Sequence, residues 1–211
     1  MKKQFLLAVF AALVSYAASA QTYEITTSYG YQFGTKIDYY YGYVKAEPSA
    51  QWGISAGVEV QPNLVAKLSY VSIGTEIRGR DIDFLNGNEV RVSDLQNDWF
   101  LIGAQKYLKD GKVKPFVGGG LGVAIFSPKN INRIAFPLLN LSSKTFFAFN
   151  FETGVNIMFT DNIGFNVQGN LYFPVNYSGF YVGSGGAGIT TGSTQILGGF
   201  SGGLVFRLDK N

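Results

Sequence analysis

Seven ionisable side chains stand on alternating segments of this sequence: the acids Glu24, Glu59 and Glu152, and the bases Lys67, Lys106, Lys114 and Arg207. Carboxylates beside amines can do two kinds of chemistry. They can trade protons as general acid and base, or they can pair and fill an interior. The chain has no histidine and no cysteine. The side chain best suited to proton transfer near neutral pH is therefore missing, and thiol nucleophiles, disulfides and lipid attachment through cysteine are excluded. A catalytic site would rest on Glu59 or Glu152 beside Lys67 alone, which is no recognisable constellation. Pairing is the expectation, with no catalytic residue, no cofactor and no metal site. Asp81, Asp83 and Asn86-Gly87-Asn88 invite a calcium reading, but the EF-hand spacing is not met.

The elements that must position these groups show as period-two alternation. A first strand runs from about Tyr23 to Phe33, with Tyr23, Ile25, Thr27, Tyr29, Tyr31 and Phe33 against Glu24, Thr26, Ser28, Gly30 and Gln32. A second, from about Ala50 to Gln61, sets Trp52, Ile54, Ala56, Val58 and Val60 against Gly53, Ser55, Gly57, Glu59 and Gln61. In the third, Leu64, Ala66, Leu68 and Tyr70 oppose Val65, Lys67 and Ser69. The fourth, near Asp98 to Leu108, is less regular because Phe100, Leu101 and Ile102 are consecutive; Trp99, Leu101 and Tyr107 are expected outward and Lys106 inward. In the fifth, Val113, Pro115, Val117, Leu121, Val123 and Ile125 oppose Lys114, Phe116 and a run of glycines. The sixth sets Phe147, Phe149, Phe151, Val155, Ile157 and Phe159 against Asn150, Glu152 and Asn156, and the seventh Ile163, Phe165, Val167, Leu171 and Phe173 against Asn166, Gln168 and Asn170. The eighth has Ile196, Phe200, Leu204, Phe206 and Leu208 against Gly199, Ser201, Gly203 and Arg207.

Three tight turns, at Gln61-Pro62-Asn63, Lys109-Asp110-Gly111-Lys112 and Thr160-Asp161-Asn162, fall at nearly even spacing, and long irregular segments separate them. Residues 1–20 read as a signal peptide: Lys2 and Lys3, then an apolar core from Phe5 to Val14, then Ala18-Ser19-Ala20. That core is too short to span a bilayer as a helix, which takes about 20 apolar residues. Lys2 and Lys3 also supply two of the three net positive charges, so no nucleic-acid footprint is present. Residues 21–211 read as one domain. Alternation alone does not separate a membrane barrel from a soluble sheet, but several runs are long enough to cross a bilayer at a tilt, which takes about 9–11 residues. The expected fold is all-β: an eight-stranded antiparallel up-and-down transmembrane β-barrel, with its polar rows, and the seven charges above, enclosed in the lumen.

Two segments carry a family likeness. Lys114-Pro115-Phe116-Val117-Gly118-Gly119-Gly120-Leu121-Gly122-Val123 resembles a strand frequent in small outer-membrane barrels, and Ser201-x-Gly203-x-x-Phe206-x-Leu208 is similar to the C-terminal signal read by the barrel-assembly machinery. On these the chain resembles the small eight-stranded outer-membrane β-barrel family (OmpA/OmpX-like). The resemblance implies an outer-membrane location, periplasmic termini, and surrounding lipid and lipopolysaccharide as partners. The enzymes on such barrels rely on a histidine base, and this chain has none.

The four long loops hold the remaining candidates. Tyr39, Tyr40, Tyr41 and Tyr43 in the first suit either an interfacial girdle or a contact surface. The second, from Gly74 to Asn97, mixes charges of both signs, as a solvated hairpin extending the wall would. The third is unusually apolar and includes Phe136 and Leu138, a pattern that marks contact with protein or membrane unless it packs over the barrel mouth. The fourth offers Tyr177, Phe180 and Tyr181. The expected role is non-enzymatic, structural or in surface interaction with a possible protein partner at the loops. The alternatives are a narrow pore or transporter for a small solute, and a soluble periplasmic carrier of lipocalin type.

Overall fold

The computed structural model describes residues 22–81, 87–175, 180–183, 186–189 and 196–209, so the expected leader at 1–20 lies outside the described residues. In chain order the strands are β1 (Thr22–Gln32), β2 (Thr35–Tyr39), β3 (Gly42–Ala46), β4 (Ser49–Gln61), β5 (Leu64–Asp81), β6 (Glu89–Tyr107), β7 (Val113–Lys129), β8 (Lys144–Met158), β9 (Ile163–Val175), β10 (Phe180–Gly183), β11 (Gly186–Ile189) and β12 (Leu197–Asp209). Eight of them close a ring in the order β1-β4-β5-β6-β7-β8-β9-β12, and β12 pairs back onto β1. Every pairing is antiparallel, from Tyr23 opposite Leu208 at one seam to Leu64 opposite Lys106 at another. Closure is the physical point. An unpaired N–H or C=O in hydrocarbon costs on the order of several kcal/mol, and a ring leaves no edge.

The turns at the short end explain the sharp reversals. Asn63 takes φ 64° and Gly111 φ 120°, the left-handed region that asparagine tolerates and glycine favours. At the third turn the Thr160 hydroxyl accepts from the backbone N–H of Ile163 at 3.0 Å, a local bond that replaces a missing strand partner. At the other end the wall is tall and uneven. β5 has 18 residues and β6 has 19, well above the usual soluble strand, and the β2–β3 hairpin extends the sheet by pairing Gly42 to Ala46 with Asp81 to Ile77.

Seven of the eight ring strands face as their alternation implies. Tyr23, Ile25, Tyr29 and Tyr31 on β1, Leu121 and Val123 on β7, and Phe147 and Phe151 on β8 lie exposed on the outer wall. The facing of the β6 row is the opposite of the expectation: Trp99, Leu101 and Tyr107 are buried in the lumen, while Phe100, Ile102 and Lys106 lie outside. The physical reason is that the lumen is not polar throughout. Its extracellular half is packed by Ile73, Trp99, Leu101, Ala124, Ala148, Tyr172 and Leu197, so an apolar residue on β6 has a place on either side of the sheet.

The glycine run on β7 is a packing device. A Cβ on Gly118 would stand 2.8 Å from Glu152 Oε1 and 2.9 Å from the Ala104 carbonyl; one on Gly120 would stand 3.1 Å from Asn150 Oδ1. Glycine here leaves lumen volume for side chains reaching in from β8. Gly118→Val is therefore expected to lower the urea unfolding midpoint, by an overpacking cost of about 1–3 kcal/mol. Gly169→Ala, whose added carbon meets nothing closer than 4.0 Å, is expected to leave it unchanged.

Candidate functional site

Six of the seven expected lumenal charges do point inward, and they form two groups. Near the short-turn end, Glu24 accepts a hydrogen bond from the Tyr107 hydroxyl at 2.5 Å, and the Arg207 Nε lies 3.9 Å from the same carboxylate. Arg207 also donates through Nη2 to Glu59 at 2.7 Å, and Glu59 caps the Asn63 N–H at 2.8 Å. The Lys114 ammonium sits 5.6 Å from the Tyr107 ring centre and the Arg207 guanidinium 5.5 Å, both within reach of the ring's negative face. Asn156 donates to the Tyr107 oxygen at 2.7 Å, and Asn166 to Asn156 at 2.6 Å. Tyr107 thus ties β1, β6, β8 and β12 across the lumen.

The second group lies higher. Lys67 on β5 pairs with Glu152 on β8, three strands away around the ring, and donates to Gln105 Oε1 at 3.2 Å. Their side chains are only 12% and 5% exposed. Beside them Lys67, Ser69, Asn150, Glu152 and Gln168 help line a cavity of about 20 Å³, room for about one water. Above it lies the apolar layer, in which Trp99 is 0% exposed and its ring packs 5.0 Å from that of Tyr172.

Lys106 is the exception and a correction. It is exposed on the outer wall at the short-turn end, where its ammonium donates to the Pro62 carbonyl at 3.1 Å. At a membrane rim a long amine reaches water with its stem on apolar surface, so the outer face tolerates it. The residue missed by sequence reasoning is Tyr107, the hub. The only available signal was the turn itself: counting back from Asp110, an outward Lys106 forces Tyr107 and Trp99 in.

The outer wall carries its own marker of height. Asp98 faces outward and accepts from Tyr70 at 2.9 Å, Ser72 at 2.7 Å and Gln96 at 3.3 Å. Directly below, the rings of Trp52, Tyr70 and Phe100 touch in series at 5.3 and 5.0 Å. A carboxylate is costly against hydrocarbon, so the bilayer core ends between this aromatic row and Asp98.

Above that line stands a charged crown. Glu89 accepts from the Tyr43 hydroxyl at 2.6 Å and pairs with Lys45 at 3.0 Å and Arg78 at 3.4 Å. Arg78 also holds Glu76 at 2.5 Å, and Arg91 holds Asp94 at 2.5 Å and Glu76 at 3.3 Å. The Tyr43 hydroxyl, then Lys45, pull the Glu89 carboxyl down to about 2. Tyr39 donates to Asp81 at 3.0 Å; burial and that carboxylate push its hydroxyl up to about 12. Tyr40 and Tyr41 sit in the hairpin turn with their rings 4.8 Å apart, Tyr40 at 91% exposure. In the third loop Phe136 is half-buried and Leu138 exposed. Tyr177 lies outside the described residues; Phe180 and Tyr181 begin β10, which pairs with β11.

Two outcomes are expected. Glu152→Gln should lower the urea unfolding midpoint strongly, since stripping one partner from a buried pair costs about 3–5 kcal/mol. Glu59→Gln should lower it less, its side chain being 19% exposed; unchanged midpoints for both would count against a pairing role. For the crown, a carboxyl lowered on folding contributes stability above its unfolded pKa that is lost as pH falls toward the folded value. Pepsin cleavage of the β2–β3 hairpin should therefore stay slow near pH 4, and quicken as the pH drops toward the value of about 2 for Glu89.

No curated protein matches the chain in sequence. Solved structures do match its fold. OprG from Pseudomonas aeruginosa aligns at a TM-score of 0.61 and 13% identity, over 90% of this chain and 97% of that one. Neisserial surface protein A aligns at 0.57 and 14%, over 90% and 98%. The N-terminal β-barrel domain of Pseudomonas aeruginosa OprF aligns at 0.50 and 16%, over 90% and 98%. A family profile, the outer membrane protein beta-barrel domain, matches residues 5–172. With a closed ring, a greasy outer wall and a filled lumen already in view, the chain belongs to the outer membrane protein β-barrel family.

Proposed function

We propose that this protein is a closed, non-enzymatic outer-membrane barrel that acts through its extracellular strands and loops, as a surface-interaction element. The observation that carries the reading is the apolar stopper: Trp99 at 0% exposure, closed in by Ile73, Leu101, Tyr172 and Leu197 above the Lys67–Glu152 pair. An eight-stranded interior is just wide enough for side chains to fill. A lumen filled by an ion pair and an indole offers a solute no continuous polar path. What is left to meet other molecules is the crown, with exposed Tyr40 and Tyr41, and the third loop, with exposed Ile134 and Leu138.

Membership of the family and the apolar outer wall set aside the soluble periplasmic carrier. The partners that suit this reading are the lipid and lipopolysaccharide around the wall, a protein at the loops, and the assembly machinery acting on the Ser201 to Leu208 segment during insertion. The runner-up, a narrow pore, is what the test decides against. Purified protein, checked as folded by its altered gel mobility before and after boiling, is expected to give no current steps in a planar bilayer. Reproducible single-channel steps would overturn the closed-barrel reading in favour of the pore.

A further inference from the structure

The short-turn end carries its charge unevenly. Of the three tight turns, Gln61-Pro62-Asn63 has no ionisable side chain and Thr160-Asp161-Asn162 only an acid. The segment joining β6 to β7 instead sets Lys106, Lys109 and Lys112 against the single acid Asp110. We propose that this turn binds an anionic phospholipid of the leaflet at the short-turn end, its phosphate held between the Lys106 ammonium on the wall and Lys109 and Lys112 in the turn. The site depends on the barrel's place in the bilayer and not on the closed lumen.

Depth is the first observation. Asp98 marks the upper hydrocarbon limit, and Lys106 stands eight residues below it on the same outward row of β6. That is about 26 Å along the strand and about 20 Å in height at a tilt of about 40°. The apolar band of such a barrel is about 25 Å tall, so the Lys106 backbone lies about 5 Å inside its lower edge. The side chain is turned the right way to cover that difference, since its ammonium donates to the Pro62 carbonyl in the neighbouring turn at 3.1 Å. A stem laid on apolar wall, with its head at the edge of the hydrocarbon, puts the charge at the level of lipid phosphates.

The surroundings are the second. Lys106 stands in register with Leu64 on β5 and Val117 on β7, both on the outer wall. Leu108, two residues further down the row, is 62% exposed, and Val113 on the far side of the turn 53%. Whatever meets the ammonium therefore has apolar side chains beside its own charge. That combination fits an anionic amphiphile rather than a soluble anion beneath the barrel.

The third is what the turn leaves for a ligand. Asp110 is outnumbered, and its carboxylate accepts the Asn63 side-chain amide at 3.0 Å. An ammonium has three donors, and the Pro62 carbonyl takes one of those on Lys106. Lys109 and Lys112 are exposed just below. The backbone that carries them is fixed: Gly111 closes the reversal at φ 120°, and Leu108 donates its N–H to the Pro115 carbonyl at 2.8 Å. Binding orders little beyond the lysine side chains.

The chain has no cysteine, so a single fluorophore can be placed at will. The full chain carrying Leu108→Cys or, beside the turn that has only an acid, Phe159→Cys, each labelled, is refolded into vesicles of phosphatidylcholine and phosphatidylglycerol in fixed proportion. Folding is checked by gel mobility. A trace of nitroxide, placed on the acyl chain near the headgroup, is carried by one lipid or by the other. At position 108 the nitroxide on phosphatidylglycerol is expected to quench more than that on phosphatidylcholine, by a local enrichment of about fivefold for each lysine engaged. Lys106→Gln should lower that enrichment, and adding Lys109→Ser and Lys112→Ser should remove it. Position 159 should show no preference. Equal quenching by the two lipids at 108 would overturn the proposal; so would an equal preference at 108 and 159, or one that outlasts the three substitutions.

Discussion

The demand that every backbone N–H and C=O find a partner inside hydrocarbon governs everything else in this molecule. It is met by one seam. β12 must return to β1 in a fixed register, Glu24 opposite Arg207 and Tyr31 opposite Phe200, or two strand edges would lie open in lipid. Once that seam is fixed, alternation sends one row of each strand to the acyl chains and the other to a lumen of set width. The long strands, the even count and the tight turns at one end all follow from closure.

Closure at eight strands also fixes what the interior can be. The space is of a width that side chains can fill, and side chains from opposite walls meet in it. They do so in layers. Near the short turns Tyr107 joins Glu24, Asn156 and, through its ring, Arg207 and Lys114. Further up Lys67 and Glu152 span the lumen, and the buried indole of Trp99 packs above them. Glycines on β7 are the counterpart of this filling, since the volume they leave vacant is what Glu152 and Asn150 occupy.

Outside the bilayer the constraint changes, because water can satisfy the backbone and the chain is free to specialise. The β2–β3 hairpin and the upper parts of β5 and β6 become a self-neutralised charged wall, stiffened by a mesh of pairs that are individually weak. The third loop carries no acidic residue and leaves Ile134 and Leu138 bare. Two loops that meet β6 a few residues apart thus present different chemistry, one a mesh of paired charges and one largely apolar.

Much of this was legible in the residues. Period-two rows on seven of the ring strands, turns at Pro62-Asn63, Asp110-Gly111 and Asp161-Asn162, and the acid and base groups at Glu24, Glu59, Lys67, Lys114, Glu152 and Arg207 follow from spacing and hydropathy alone, because a strand's side chains must alternate. Partner choice was not legible. That Lys67 meets Glu152, or that Tyr107 rather than a charge is the hub below it, depends on the stagger of eight strands around the ring, which no local pattern carries. The facing of β6 was hidden for a related reason: hydropathy separates lipid from a polar lumen, and it is silent where the lumen is itself apolar, as it is around Trp99 and Leu101. Residue order alone therefore carries a membrane barrel with charges enclosed, whereas the identity of the charge partners and of the aromatic packed above them comes from the folded ring, since each is a distance between strands and not a property of any one of them.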